Sequence, residues 1–119
     1  MQYVVGDRPL LKVTFKEDGS PIDLSPGSDT YTVYIRTSLN GETAVETLMS
    51  EAAEDGGNAD AGIAVHRFPA SGAGAIDEQG VLEFEFYLSD TAAKSTDNVT
   101  GTAVYTSQKF RRKVRAKVG

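Results

Sequence analysis

Gly80-Val81-Leu82-Glu83-Phe84-Glu85-Phe86-Tyr87-Leu88 decides how this chain is read. Leu82, Phe84, Phe86 and Leu88 are apolar, and Glu83, Glu85 and Tyr87 fall between them. A period of two sends neighbouring side chains to opposite faces of a strand. One face is then dry and the other wet, which is the signature of an antiparallel sheet. The same period recurs three times. Leu11, Val13 and Phe15 alternate with Lys12, Thr14 and Lys16. Tyr31, Val33 and Ile35 alternate with Thr32, Tyr34 and Arg36. Phe110, Val114, Ala116 and Val118 alternate with Arg111, Lys113, Arg115 and Lys117.

Turn chemistry separates these runs. Glu17-Asp18-Gly19-Ser20-Pro21 predicts a hairpin into a short Ile22-Asp23-Leu24 element. Ser25-Pro26-Gly27-Ser28-Asp29 breaks the chain, and Asn40-Gly41 favours positive φ after the second long run. Residues 100–106 read as a further strand, with Ser107-Gln108 as a tight connection into the last one. Between residues 42 and 80 the pattern is mixed. Ala44, Val45, Leu48, Met49, Ala52 and Ala53 recur at helical spacing, while Ala44 to Met49 also suits an edge strand. Ile63 to Phe68 reads as a strand, and the Gly-rich stretch from Pro69 to Gly80 as a loop. About seven short strands predict an all-β, antiparallel β-sandwich with a loop or short helix inserted near residues 42–80.

The chain has 119 residues, the size of one domain, with the insertion falling roughly at 50–80. It contains no Cys, so disulfides and thiolate metal sites are excluded. The first residues do not read as a secretory signal, and no apolar stretch approaches the ~18 residues of a membrane span. Charge is uneven. Residues 1–108 carry −11 and residues 109–119 carry +6. An acidic body repels phosphate, so no nucleic-acid partner is expected.

The candidate chemistry is thin. His66 is the single histidine, without a nucleophile-elbow pattern, and reads as a strand residue. Glu83 and Glu85 share one wet strand face; a glycosidase needs carboxylates across a cleft, so the pair reads as solvated surface. Asp55, Asn58 and Asp60 sit in a Gly-rich turn without the spacing of a calcium loop. Ser71-Gly72-Ala73-Gly74 lacks the Lys-Ser/Thr of a phosphate loop. No cofactor is expected. Asn98-Val99-Thr100 matches a glycosylation sequon, which carries no weight without a secretory signal. The sharpest feature is the basic alternation at the C-terminal end. Arg111, Lys113, Arg115 and Lys117 form a positive strip, placed to meet Glu83 and Glu85 on a neighbouring strand or the acidic face of another copy.

One part of the chain resembles a known family. The run from Val5-Gly6-Asp7 through Leu11-Lys12-Val13-Thr14-Phe15-Lys16-Glu17-Asp18 to Gly19-Ser20-Pro21-Ile22-Asp23-Leu24, followed by Tyr31-Thr32-Val33-Tyr34-Ile35-Arg36, carries the likeness. It resembles the N-terminal domain of upper baseplate proteins of tailed phages and related prophage tail domains. The Gly80 to Phe86 run and the closing basic strand are also similar. The chain departs from that pattern at Ser25-Pro26-Gly27-Ser28 and in the stretch from Ala52 to Ala75. The resemblance implies an immunoglobulin-like β-sandwich in a virion, assembled in the host cytoplasm. It implies a non-enzymatic tail or baseplate docking module whose partners are other virion proteins and copies of itself. The alternatives are a capsid-decorating or neck protein using the same module, or a glycan-binding sandwich for host attachment. Sugar stacking would fall to Tyr3, Tyr34, Tyr87 and Tyr105.

Overall fold

The computed structural model describes residues 2–24, 31–90, 103–106 and 108–117. Along these run β1 (Gln2–Val4), β2 (Leu10–Thr14), β3 (Lys16–Glu17), β4 (Ser20–Pro21), β5 (Tyr31–Leu39), β6 (Val45–Leu48), β7 (Ile63–Arg67), β8 (Gly80–Asp90), β9 (Ala103–Thr106) and β10 (Phe110–Arg115). The fold is mostly β, and the helical turns among the described residues are the short 3-10 segments Ala53–Asp55 and Ala59–Ala61. The predicted break at residues 25–29 and the sequon lie outside the described residues.

The quoted stretch is the centre of the larger sheet, whose order is β1-β10-β8-β5-β6. β5 and β8 pair antiparallel along nine positions, from Tyr31↔Asp90 to Leu39↔Leu82. β1 joins β10 in parallel, with Tyr3 opposite Val114. β2 pairs antiparallel with β7, and β3 with β4. The alternation is observed as expected: Val33, Ile35, Leu82, Phe84, Phe86 and Leu88 are buried, and Tyr34, Arg36, Glu83, Glu85 and Tyr87 face outward. The core joins these side chains to Phe15, Ala64, Phe68 and Ile76, with Leu11 and Val13 packed against them. Asp18-Gly19 and Asn40-Gly41 turn the chain with φ of 51°, 83°, 55° and 75° in that order, as the sequence predicts.

The sequence leaves a helix and an edge strand both open at residues 42–54, and the structure forms the edge strand. Val45–Leu48 is a strand on β5, and only Ala53–Asp55 turns as 3-10. Edge pairing to β5 supplies backbone bonds that so short a helix could not match. The stretch from 42 to 80 is not a mere insertion, because β6 and β7 lie within it and both join ladders. Ser107 of the predicted Ser107-Gln108 connection lies outside the described residues. β9 and β10 both run antiparallel along the same edge of β8, at Tyr87–Asp90 and Gly80–Phe84 respectively. Finally, Arg112 breaks the basic alternation by lying on the core side with Phe110 and Val114. Its guanidinium sits 5.6 Å from the Phe84 ring centre, and its Nε is buried with no hydrogen-bond partner among the described residues.

Candidate docking surfaces

The outer face of the larger sheet is built of cross-strand rows. Register aligns Leu48, Tyr34 and Tyr87 across β6, β5 and β8. The next row is Glu46, Arg36 and Glu85, then Ser38, Glu83 and Arg111. Val81, Lys113 and Gln2 close the face at the other end. Tyr34 and Tyr87 stack with ring centres 5.3 Å apart and 24° between planes, and Arg36 lies 4.2 Å over the Tyr87 ring. Arg36 donates from Nε to Glu46 at 3.0 Å and lies 3.5 Å from Glu85. Leu48 is 62% exposed and Val81 is 44% exposed, so apolar surface borders the charges at both ends.

The structure brings together only some of the predicted strip. Arg111 reaches Glu83 at 3.6 Å, as the sequence reading expects. Glu85 turns instead to Arg36, because β5 and not β10 lies beside it at that level. Lys113 lies opposite Val81, while Arg115 pairs with Val4 of β1. Lys117 follows the end of β10 and is exposed. Such an exposed pair is worth ~0–1 kcal/mol, so Arg111–Glu83 adds little to stability.

Among the tyrosines proposed for sugar stacking, Tyr3 is buried in the core. Tyr87 has Tyr34 on one side and the Arg36 guanidinium over its ring, so its faces are already engaged. The side chain of Tyr105 lies outside what the structure describes.

A second feature was not legible in the sequence. Ser50 and Val65 exchange backbone bonds of 2.9 and 2.8 Å, a bridge joining the end of β6 to β7. From that bridge toward Leu48 and Arg67 the two strands part. The space between them is an open groove of about 760 Å³, lined by Leu10, Leu48, Val65, His66, Pro69 and Ala73 among others. Glu54 and Asp55 stand on one rim, and Asp55 accepts a 2.7 Å bond from Ser50 Oγ. Arg67 lines the groove too, but its Nη1 is turned to the Arg8 carbonyl at 2.9 Å.

His66 is buried in the groove wall and meets Phe68 edge-on, with ring centres 4.9 Å apart and 74° between planes. Burial holds its pKa below the ordinary value. The unfolded chain therefore takes up a proton first as pH falls below about 6.5. Stability is whole above that pH and declines below it, until the folded imidazole also protonates. Urea midpoints at pH 7.5 and 5.5 check this: the decline is expected to be smaller in His66→Leu than in the parent chain. An equal decline in both would assign it to the carboxylates.

Asn58 caps the second 3-10 turn by accepting from the Ala61 amide at 3.2 Å, so this Gly-rich segment has a structural use. Among the described residues no group of three His, Asp or Glu side chains is placed to hold a metal ion, and no helix is long and apolar enough to cross a membrane. Compared with known proteins, the chain gives no significant match to a family model, a curated protein or a solved structure.

Proposed function

We propose that this chain is a non-enzymatic virion structural protein of a bacteriophage or prophage, a tail or baseplate docking module acting through protein contacts. The observation that carries the docking role is the outer sheet face. It carries exposed Leu48 and Val81 at its ends and acid–base rows between them. Complementary charge across a contact sets its register and speeds encounter. The face holds Arg111 and Lys113 of the basic strip, and the acidic remainder of the chain supplies its complement in another copy.

Strand order supports an immunoglobulin-like sandwich. β1 runs parallel to the last strand, and β10, β8 and β5 are consecutive antiparallel neighbours. β2 and β7 pair separately as the second sheet. With β9 and β10 counted as one interrupted strand and the β3–β4 hairpin set aside, about seven strands remain, as such domains have. The virion assignment rests on the resemblance of residues 5–36. The capsid-decorating or neck reading uses the same contacts. Glycan binding is less favoured, because Tyr3 and Tyr87 offer no open ring face. A catalytic role finds no assembled groups among the described residues: His66 is packed against Phe68 and the Ser50 hydroxyl is bonded to Asp55.

The test is mass measurement of the full chain at micromolar concentration, together with a search for it in purified particles. Oligomers are expected, weakened several-fold by added salt and by Arg111→Glu with Lys113→Glu. A monomer at every concentration, absent from particles, would sink the reading.

A further inference from the structure

The groove between β6 and β7 has a backbone chemistry of its own. Met49 N–H donates to the Val33 carbonyl at 2.8 Å, so Met49 faces β5. In an antiparallel strand successive residues turn their backbone groups to opposite edges. Leu48 and Ser50 therefore face the other way, toward β7. Ser50 is satisfied there by Val65. On the opposite bank, Phe68 N–H donates to Pro9 at 3.3 Å, so Phe68 faces β2 and Arg67 faces β6. Counting two residues from the Ser50–Val65 bridge, Leu48 and Arg67 form the next position of the same ladder. The strands have already parted there, and neither residue's N–H or C=O has a backbone partner among the described residues.

We propose that this notch accepts an extended peptide segment of a partner protein, which adds as a strand to the open edges of β6 and β7. The backbone groups of Leu48 and Arg67 supply the ladder bonds, and Leu10, Leu48, Val65, Pro69 and Ala73 supply the pocket for alternate side chains. The volume lies within the ~300–1,000 Å³ of ordinary ligand sites. The outer edge of β2 gives the contrast. Lys12 stands on it, and an edge lysine is a common guard against strand addition. The notch carries no lysine among its lining residues. The lining holds two carboxylates, Glu54 and Asp55, against the one guanidinium of Arg67, and this acidic balance favours a segment that alternates apolar with basic residues. This deepens the docking reading and rests on it only in requiring a protein partner; the virion assignment can fail without touching it.

Amide hydrogen exchange on the full chain tests the proposal, with acetyl-Lys-Val-Lys-Val-Lys-Val-amide as probe. Without peptide, the Leu48 and Arg67 amides are expected to exchange as open sites. With peptide, both slow tenfold or more. A probe N-methylated at alternate residues loses that protection, and a probe with glutamate for lysine binds several-fold more weakly. The Leu48→Pro variant removes one slot donor at an edge position where proline is tolerated, and it is expected to keep the core exchange pattern while losing the peptide. If that variant does not fold, the N-methylated probe still decides. No protection at millimolar peptide, or equal binding of the N-methylated probe, overturns the proposal. So does concentration-dependent protection of both amides without peptide, which would seat a second copy in the notch. Self-association through the outer sheet face, which includes Leu48 but not Arg67, leaves the Arg67 amide open, so the failure of either reading is visible separately.

Discussion

Replacing Phe68 with alanine is expected to lower the unfolding free energy by about 3–5 kcal/mol. The ring is fully buried, with 0% of its surface exposed. Phe68 stands just after β7, where its N–H bonds Pro9 and its carbonyl accepts from Arg8 Nε at 2.9 Å. Those bonds hold the backbone at both ends, so the vacated volume cannot close by a shift of the strand. The ring also packs edge-on against His66 and lies in one cluster with Phe15, Ala64 and Ile76. Removing it opens a cavity where the β2–β7 pair meets the core. A domain of this size has roughly 5–15 kcal/mol in all, so the variant approaches the limit of folding. Urea unfolding of Phe68→Ala beside Leu48→Ala checks the assignment. Leu48 is 62% exposed, and its truncation is expected to change stability by under ~0.5 kcal/mol. Similar losses for the two would mean that β7 does not close the core as described.

The period of two made most of the larger sheet legible. Val33, Ile35, Leu82, Phe84, Phe86 and Leu88 each fall on the dry face that the sequence assigns them, because burial acts on side chains strictly in alternation. The two turns with Asp-Gly and Asn-Gly were legible for the same local reason. Residues 44–49 were not, since Val45, Leu48 and Met49 satisfy both a helical stripe and a strand. The choice was made by the open edge of β5, a distant partner that local pattern does not contain. Arg112 shows the opposite failure. Charge marks it as surface, yet the pleat of β10 turns it inward over Phe84.

The candidate surfaces divide in the same way. The Arg111–Glu83 pair was legible because each strand's wet face could be read and only adjacency had to be supplied. Glu85 found Arg36 because its level on β8 falls beyond the reach of β10. The notch could not be read at all. It exists because β6 is bonded to β5 at Met49 and to β7 at Ser50. The two sheets then separate, and no residue type records where a ladder stops.

Gly80→Ala is expected to cost about 3–5 kcal/mol, from backbone strain of ~1–3 kcal/mol and loss of two hydrogen bonds worth ~1 kcal/mol each. Gly80 begins β8 with φ of 140°, a conformation that side chains disfavour. A Cβ there would collide with the side-chain amide of Asn40. That amide ties the end of β5 to the start of β8. Asn40 Oδ1 accepts from the Val81 N–H at 2.9 Å, Nδ2 donates to the Gln79 carbonyl at 3.0 Å, and the Asn40 N–H donates to the Val81 carbonyl at 2.8 Å. A methyl group at position 80 would push the amide aside and break the first two bonds. Asn40→Ala loses the same two bonds, together with the 3.3 Å bond from Nδ2 to Glu78 Oε2, and also removes the obstacle. The double variant should therefore cost less than the sum of the singles, leaving the φ strain as the residual cost of the alanine at position 80. Denaturant midpoints for the two singles and the double give the coupling directly. Additive costs would mean that Asn40 moves out of the way without loss, and that the start of β8 is held by the backbone ladder alone.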